Sequence, residues 1–201
     1  MIEFVLCLGL FWIPLFFGAT QFGLALIQAN QVAEVCRDAG HMYAYGISFS
    51  QTSNQYLLAS FAPSLNVDPT GQRGTSVVIL STVNYISAVE CQAGGYASTC
   101  PNFGQIVFTN RVVIGNPAIH TSAFGTPTTD STGTGNVPQG SPSTPGYLNQ
   151  SSAVVTGFPG IALSTGSTGQ QYAYISEMYS QSQGPNWFLP TSPWVNAASF
   201  F

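Results

Sequence analysis

From Phe4 to Ala33 the chain carries no charged side chain, and the single charge ahead of that run is Glu3. A helix over this run would be about 45 Å long, which exceeds the roughly 30 Å hydrocarbon core of a bilayer. A carboxylate at mid-bilayer costs about 2.5–3.5 kcal/mol, so an acid at the tip of such a helix calls for a partner. A secretory signal peptide fits poorly: nothing basic precedes the apolar run, the run is about twice too long, and no A-x-A site ends it. Two readings stay open, a plain membrane anchor and a helix that leaves the membrane to pack against copies of itself.

Beyond Ala29 the pattern becomes amphipathic without a break. Val32, Val35, Cys36, Ala39, Met42 and Tyr43 fall at i, i+3, i+4, i+7 spacing and predict one buried face. Glu34 and Arg37, and Arg37 and His41, lie a turn apart on the wetter side. Gly46 is a natural stop, so one helix is expected from about residue 2 to about 46. Pro14 should kink or locally melt it. Gly9, Gly18 and Gly23 allow close approach of another helix, although none forms a GxxxG pair.

The rest of the chain reads as β-rich. Thr75–Leu80 running into Val83–Val89, then Gln105–Ile114, and Gln171–Tyr179 are rich in β-branched and aromatic residues. In the last of these, Tyr172, Tyr174 and Met178 share a face. The expected fold class is α+β: an N-terminal helix over residues 1–46, its C-terminal half covering an antiparallel sheet in a domain over residues 47–201. Residues 121–152 stand apart. Thr121 to Gly146 is nearly all Ser, Thr, Gly and Pro with Asp130 as its one charge, which predicts a flexible or extended surface loop. The C-terminal stretch, with Trp187, Trp194, Phe200 and Phe201, is expected to tuck against the domain or a neighbouring subunit.

Composition excludes more than it identifies. Only 5% of residues are charged, against about 25% on average, and the basic residues are Arg37, Arg73 and Arg111. With a net charge of −4 there is no electrostatic footprint for nucleic acid. No G-x-S-x-G, H-E-x-x-H or phosphate loop is present, His41 and His120 are the only histidines, and Glu90 and Glu177 could pair only by accident of folding. The reading is therefore of a non-enzyme with no cofactor and no metal site. Cys91 and Cys100 bracket a Gly-rich loop and predict a disulfide, with Cys7 and Cys36 as packed thiols. Asn149-Gln150-Ser151 matches a glycosylation triplet. The hydroxyls of Thr121, Thr126, Thr128, Thr129, Ser131, Thr132, Ser141, Ser143 and Thr144 are candidate sugar acceptors.

Ile2-Glu3-Phe4 opening the apolar run, Phe16-Phe17-Gly18, Gln21-Phe22-Gly23-Leu24-Ala25 and Val35-Cys36-Arg37-Asp38-Ala39-Gly40-His41-Met42-Tyr43-Ala44 resemble the TadE-like pilins of tight-adherence pili, relatives of type IV pilins. Cys36 stands where that family usually has a small alanine. The Tyr172-to-Glu177 strand is similar to the aromatic, glutamate-bearing strand near that family's C-terminus. Glu3 lies slightly closer to the N-terminus than the corresponding glutamate of mature type IV pilins. The expectation is that Met1 is a processed end or that export proceeds without the usual leader cut. The resemblance implies a filament subunit at the bacterial surface that reaches its place through the inner membrane and the pilus assembly machinery. Its partners would be copies of itself in a helical homopolymer, and other pilins. It also implies that Glu3 neutralises the N-terminal amine of a neighbouring subunit; breaking such a buried pair costs about 3–5 kcal/mol. The competing reading is a membrane-anchored surface domain that binds a glycan or adhesion receptor.

Overall fold

The computed structural model describes residues 2–61, 63–131, 133–138, 144–158, 172–182 and 194–201, with side chains in the first helix described from residue 8 onward. Helix α1 (Ile2–Ala44) is followed by α2 (Thr52–Phe61), β1 (Ser76–Tyr85), α3 (Ala88–Ala93), β2 (Ile106–Gly115), β3 (Tyr172–Gln181) and β4 (Trp194–Phe200). The fold is α+β: a long apolar N-terminal helix packs on a four-stranded antiparallel sheet of order β2-β1-β3-β4.

α1 is helical across Pro14. Ahead of Gln28 there is little for it to lean on, and beyond Gln28 one face meets the sheet. Val32, Val35, Cys36 and Ala39 are buried on that face, as their spacing predicts, against Val78, Leu80, Val112, Ile114 and Met178. The approach is close because the facing residues are small. The Ser176 hydroxyl donates to the Cys36 carbonyl at 2.7 Å, and the Cys36 thiol lies 3.2 Å from the Ser176 carbonyl. The helix ends at Ala44, two residues before the expected stop, in a Schellman cap. The N–H of Ile47 bonds Met42 O and that of Gly46 bonds Tyr43 O, with Gly46 at φ +85° as this cap requires. Arg37 pairs with its neighbour Asp38 at 3.9 Å, both largely exposed, and His41 packs its ring 4.4 Å from that of Phe201.

The strand expected to run to Val89 stops at Tyr85. Ser87 caps α3, its side chain accepting from Val89 N while the Glu90 carboxylate accepts from Ser87 N, and this capping box outweighs the β-propensity of the preceding run. α2 lies in a stretch whose polar composition gave no sign of a helix, and its one fully buried side chain is Leu58. β4 was read from sequence only as an aromatic tail. It pairs along β3 from Ile175↔Phe200 to Gln181↔Trp194. Cys91 and Cys100 are bonded, with Cα atoms 5.4 Å apart, and Cys36 is a buried free thiol.

Among its described residues the segment from Thr121 to Phe158 has no strand and only two short 3₁₀ turns, Gly146–Leu148 and Ser151–Ala153, yet much of it is anchored. Phe124, Val137, Tyr147 and Leu148 join the core around Phe108, Ile175 and the disulfide. Arg111 N donates to Gly135 O at 2.7 Å, Val137 N to Thr109 O and Val155 N to Ile106 O, so the segment covers the outer edge of β2. Its few apolar residues fall where the sheet needs them, and backbone hydrogen bonds do the rest.

Candidate assembly surface and the polar cluster of the outer domain

Along α1 the large side chains point outward in every direction. Leu10 is 82% exposed, Phe11 66%, Phe16 65% and Phe22 68%, with Trp12, Ile13, Leu24 and Ile27 more than half exposed. A side chain built on Gly9, Gly18 or Gly23 would meet nothing within 4 Å. Single exposed apolar residues are ordinary, but an unbroken band of them marks a surface meant for lipid or another apolar element. Among the described residues α1 is the one helix long and apolar enough to cross a membrane.

The border of this band is sharp. Gln28 Nε2 donates to Ser180 Oγ at 3.1 Å and to Gln181 O at 2.9 Å, which fixes the end of β3 to the helix where the apolar band ends. One turn on, Gln31 Oε1 accepts from Ser64 Oγ at 3.0 Å. Below that point the helix belongs to the domain; above it, the helix stands free. Glu3 falls in the first turn of α1, and its side chain, like that of Cys7, lies outside the described residues.

The far face of the sheet holds a second feature that sequence reading missed. Arg111 on β2 and Glu177 on β3 are both buried, at 7% and 1% exposure. They are joined through one hydroxyl. Ser122 Oγ donates to Glu177 Oε2 at 2.5 Å while accepting from Arg111 Nη2 and from Phe124 N, each at 3.1 Å. Glu177 Oε1 accepts from Ala123 N at 2.9 Å and from Tyr179 Oη at 2.8 Å. Arg111 Nε donates to Ser81 Oγ, Nη1 donates to Gly125 O, and the guanidinium lies 4.2 Å over the Phe108 ring. Burial lowers the Arg111 pKa to about 10 against the opposing pull of Glu177, so it stays charged at neutral pH. Burial first, then the bond to Glu177, pushes the Tyr179 phenol upward. Glu90 takes no part: it is spent on capping α3, so the two glutamates are not paired. The alternation of β3 placed Glu177 on a sheet face, but nothing in the sequence paired it with Arg111 or with Ser122.

Of the candidate sugar acceptors, Thr121, Thr126, Thr128, Ser131 and Asn149 are exposed, and Thr129 and Thr144 are half-buried, Thr144 donating to Gly94 O at 3.0 Å. Thr132, Ser141 and Ser143 lie outside the described residues. Among the described residues no group of His, Cys, Asp and Glu is placed to hold a metal.

Residues 1–41 match the family model of TadE-like proteins. The match covers the free apolar half of α1 and most of its docked half, about a fifth of the chain, so it is this helix that is similar to TadE-like proteins. No curated protein and no solved structure matches the chain.

Proposed function

We propose that this protein is a structural subunit of an extracellular tight-adherence-type filament. α1 holds it in the inner membrane before assembly and then packs with α1 of other copies in the filament core. The carrying observation is the contrast along α1, bare and apolar ahead of Gln28 and tied to the sheet from Gln28 onward. The TadE-like match over residues 1–41 supports the same reading. A bare helix of this kind needs lipid at one stage or an apolar bundle at the other, since association in the bundle would come from close packing over small residues such as Gly9, Gly18 and Gly23. In this reading Glu3 meets the N-terminal amine of a neighbouring copy, and the exposed hydroxyls of Thr121, Thr128 and Ser131 form an uncharged outer coat, with glycosylation at those positions part of the proposal.

The test is electron microscopy of the shed surface fraction, with antibody against the outer domain. Decorated filaments are expected, and Glu3→Ala should abolish them while leaving the protein in the membrane. Filaments without this chain, or normal filaments from Glu3→Ala cells, would overturn the assignment. An anchored receptor-binding domain, by contrast, tolerates that exchange.

A further inference from the structure

Beside the Arg111 cluster, the segment from Pro117 to Thr129 arches away from the outer face of β1 and β2 and leaves a cavity of about 220 Å³. This is below the roughly 300–1,000 Å³ of sites for drug-sized ligands, and suits one sugar-sized unit. One side is apolar: Ile79, Val113, Pro117 and Pro127. The other carries the Thr126 and Thr129 hydroxyls, which have no hydrogen-bond partner among the described residues, and His120, stacked 4.0 Å from the Tyr179 ring. Arg111 closes the floor. A guanidinium has five N–H groups, and three are engaged, with Ser81, Gly125 and Ser122. Two have no acceptor among the described residues, on a residue more than nine-tenths buried, a condition that costs free energy unless a ligand or water completes it.

Charge narrows the choice of ligand. Among the described residues no carboxylate lines the cavity. Glu177 is already saturated by Ser122, Ala123 and Tyr179, and Asp130 is turned to Thr134 and Gly135 N. An incoming carboxylate therefore meets two unspent N–H groups of a cation and free hydroxyls, while Glu177, the counter-charge of Arg111, is held on the far side of Ser122 with its own acceptor positions filled. We infer that this cavity binds a sugar acid of the uronic type. Its carboxylate sits on the two free N–H groups of Arg111, its hydroxyls on Thr126 and Thr129, and its C–H face on Val113 and the two prolines. The site lies wholly in the outer domain and uses nothing of α1, so it stands or falls apart from the filament reading.

The full chain in detergent micelles is titrated with sodium D-glucuronate, with D-glucose and with sodium acetate, followed by amide chemical shifts. Saturable shifts around Arg111, Ser122 and Thr126 are expected with glucuronate. Loss of the charged hydrogen bonds weakens glucose by roughly tenfold or more, and loss of the hydroxyl and C–H contacts weakens acetate similarly. Val113→Trp, at a half-exposed strand position on the cavity wall, should fill the space and weaken glucuronate by roughly tenfold or more with an unchanged melting curve. Thr126→Ala gives a smaller loss without any change of packing. Equal binding of glucose and glucuronate, unaltered binding by a folded Val113→Trp protein, or no saturable shift at tens of millimolar glucuronate would each overturn the inference.

Discussion

Replacing Glu177 by Gln keeps the side-chain volume and removes one charge and one acceptor oxygen from the more buried of the two charged groups in the cluster. With its oxygen toward Ala123 N and Tyr179, the new amide N–H₂ faces Ser122 Oγ, which already accepts from Arg111 and Phe124. The Ser122 proton then has no acceptor. Turned the other way, the amide confronts two donors instead of one. At least one hydrogen bond to a charged acceptor is lost, about 1.5–3 kcal/mol. Arg111, buried and charged, also loses its counter-charge; breaking a buried pair in direct contact costs about 3–5 kcal/mol, and this pair is bridged by a hydroxyl, which places the sum near about 3 kcal/mol. Urea unfolding of the full chain in detergent, followed by circular dichroism, measures it. Arg111→Met should cost a similar amount, and the double variant should cost less than the two together by about 2 kcal/mol, because neither charge is then left alone. Hydrogen exchange at Ala123 should accelerate in both single variants. A Glu177→Gln loss below about 1 kcal/mol, or simple additivity in the cycle, would refute the account of this cluster as a coupled network.

Exchange of both Cys91 and Cys100 for Ser should cost about 2–3 kcal/mol, the loop-closure value for so short a ring, read by the same unfolding curves. Gly135→Ala should detach the segment from β2, since the glycine has φ +78° and an added Cβ would sit 2.1 Å from Arg111 O; faster exchange at Arg111 N is the measure, and unchanged exchange refutes the contact. Tyr147 and Tyr179 both have phenols raised by burial, so the folded state prefers them neutral. Their contribution is complete below the unfolded tyrosine value near about 10 and fades as pH climbs from there through their folded values. Tyrosinate absorbance should therefore show a late-titrating group that disappears in Tyr179→Phe.

The helix and its docked face were legible because they rest on local periodicity: Val32, Val35, Cys36 and Ala39 announce a buried stripe whatever they pack against. β1, β2 and β3 were legible by composition, and the disulfide by spacing. β4 was not, since Trp194-Val195-Asn196-Ala197-Ala198-Ser199-Phe200 holds only one β-branched residue, and its strand conformation comes from pairing with β3, a long-range contact no window contains. The end of β1 was misplaced because Val89 looks like strand, while the decisive signal is Ser87 followed three residues later by Glu90. The segment from Thr121 was the hardest to read. Its composition describes a free loop, and its order comes from partners on other elements, Arg111 and Glu177 above all, which lie 11 and 55 residues from Ser122 in sequence.

The two environments proposed for α1 suit the side chains it spends along its length. Ahead of Gln28 it carries Leu, Phe, Ile and Trp on all sides, a composition suited to lipid or to a ring of like helices and unsuited to a single protein partner. From Val32 the docked face shrinks to Val, Cys, Ala and Gly, and the sheet answers with Ser176, Ala197 and Ser199, so that hydroxyl and carbonyl groups of strand and helix reach one another directly. Gly40 shows how tight this becomes, since a Cβ there would fall 2.2 Å from the Phe201 ring. The apolar part from Phe4 to Ile27 is about 36 Å long as a helix, slightly more than a hydrocarbon core, so the Gln28 contacts to Ser180 and Gln181 would come to lie at the membrane surface. In the proposed assembly, a domain fixed to its helix by such contacts would not swing about the helix as that helix left lipid for a bundle. The angle at which it would project from such a filament would then be set within the single subunit, before any neighbour is met.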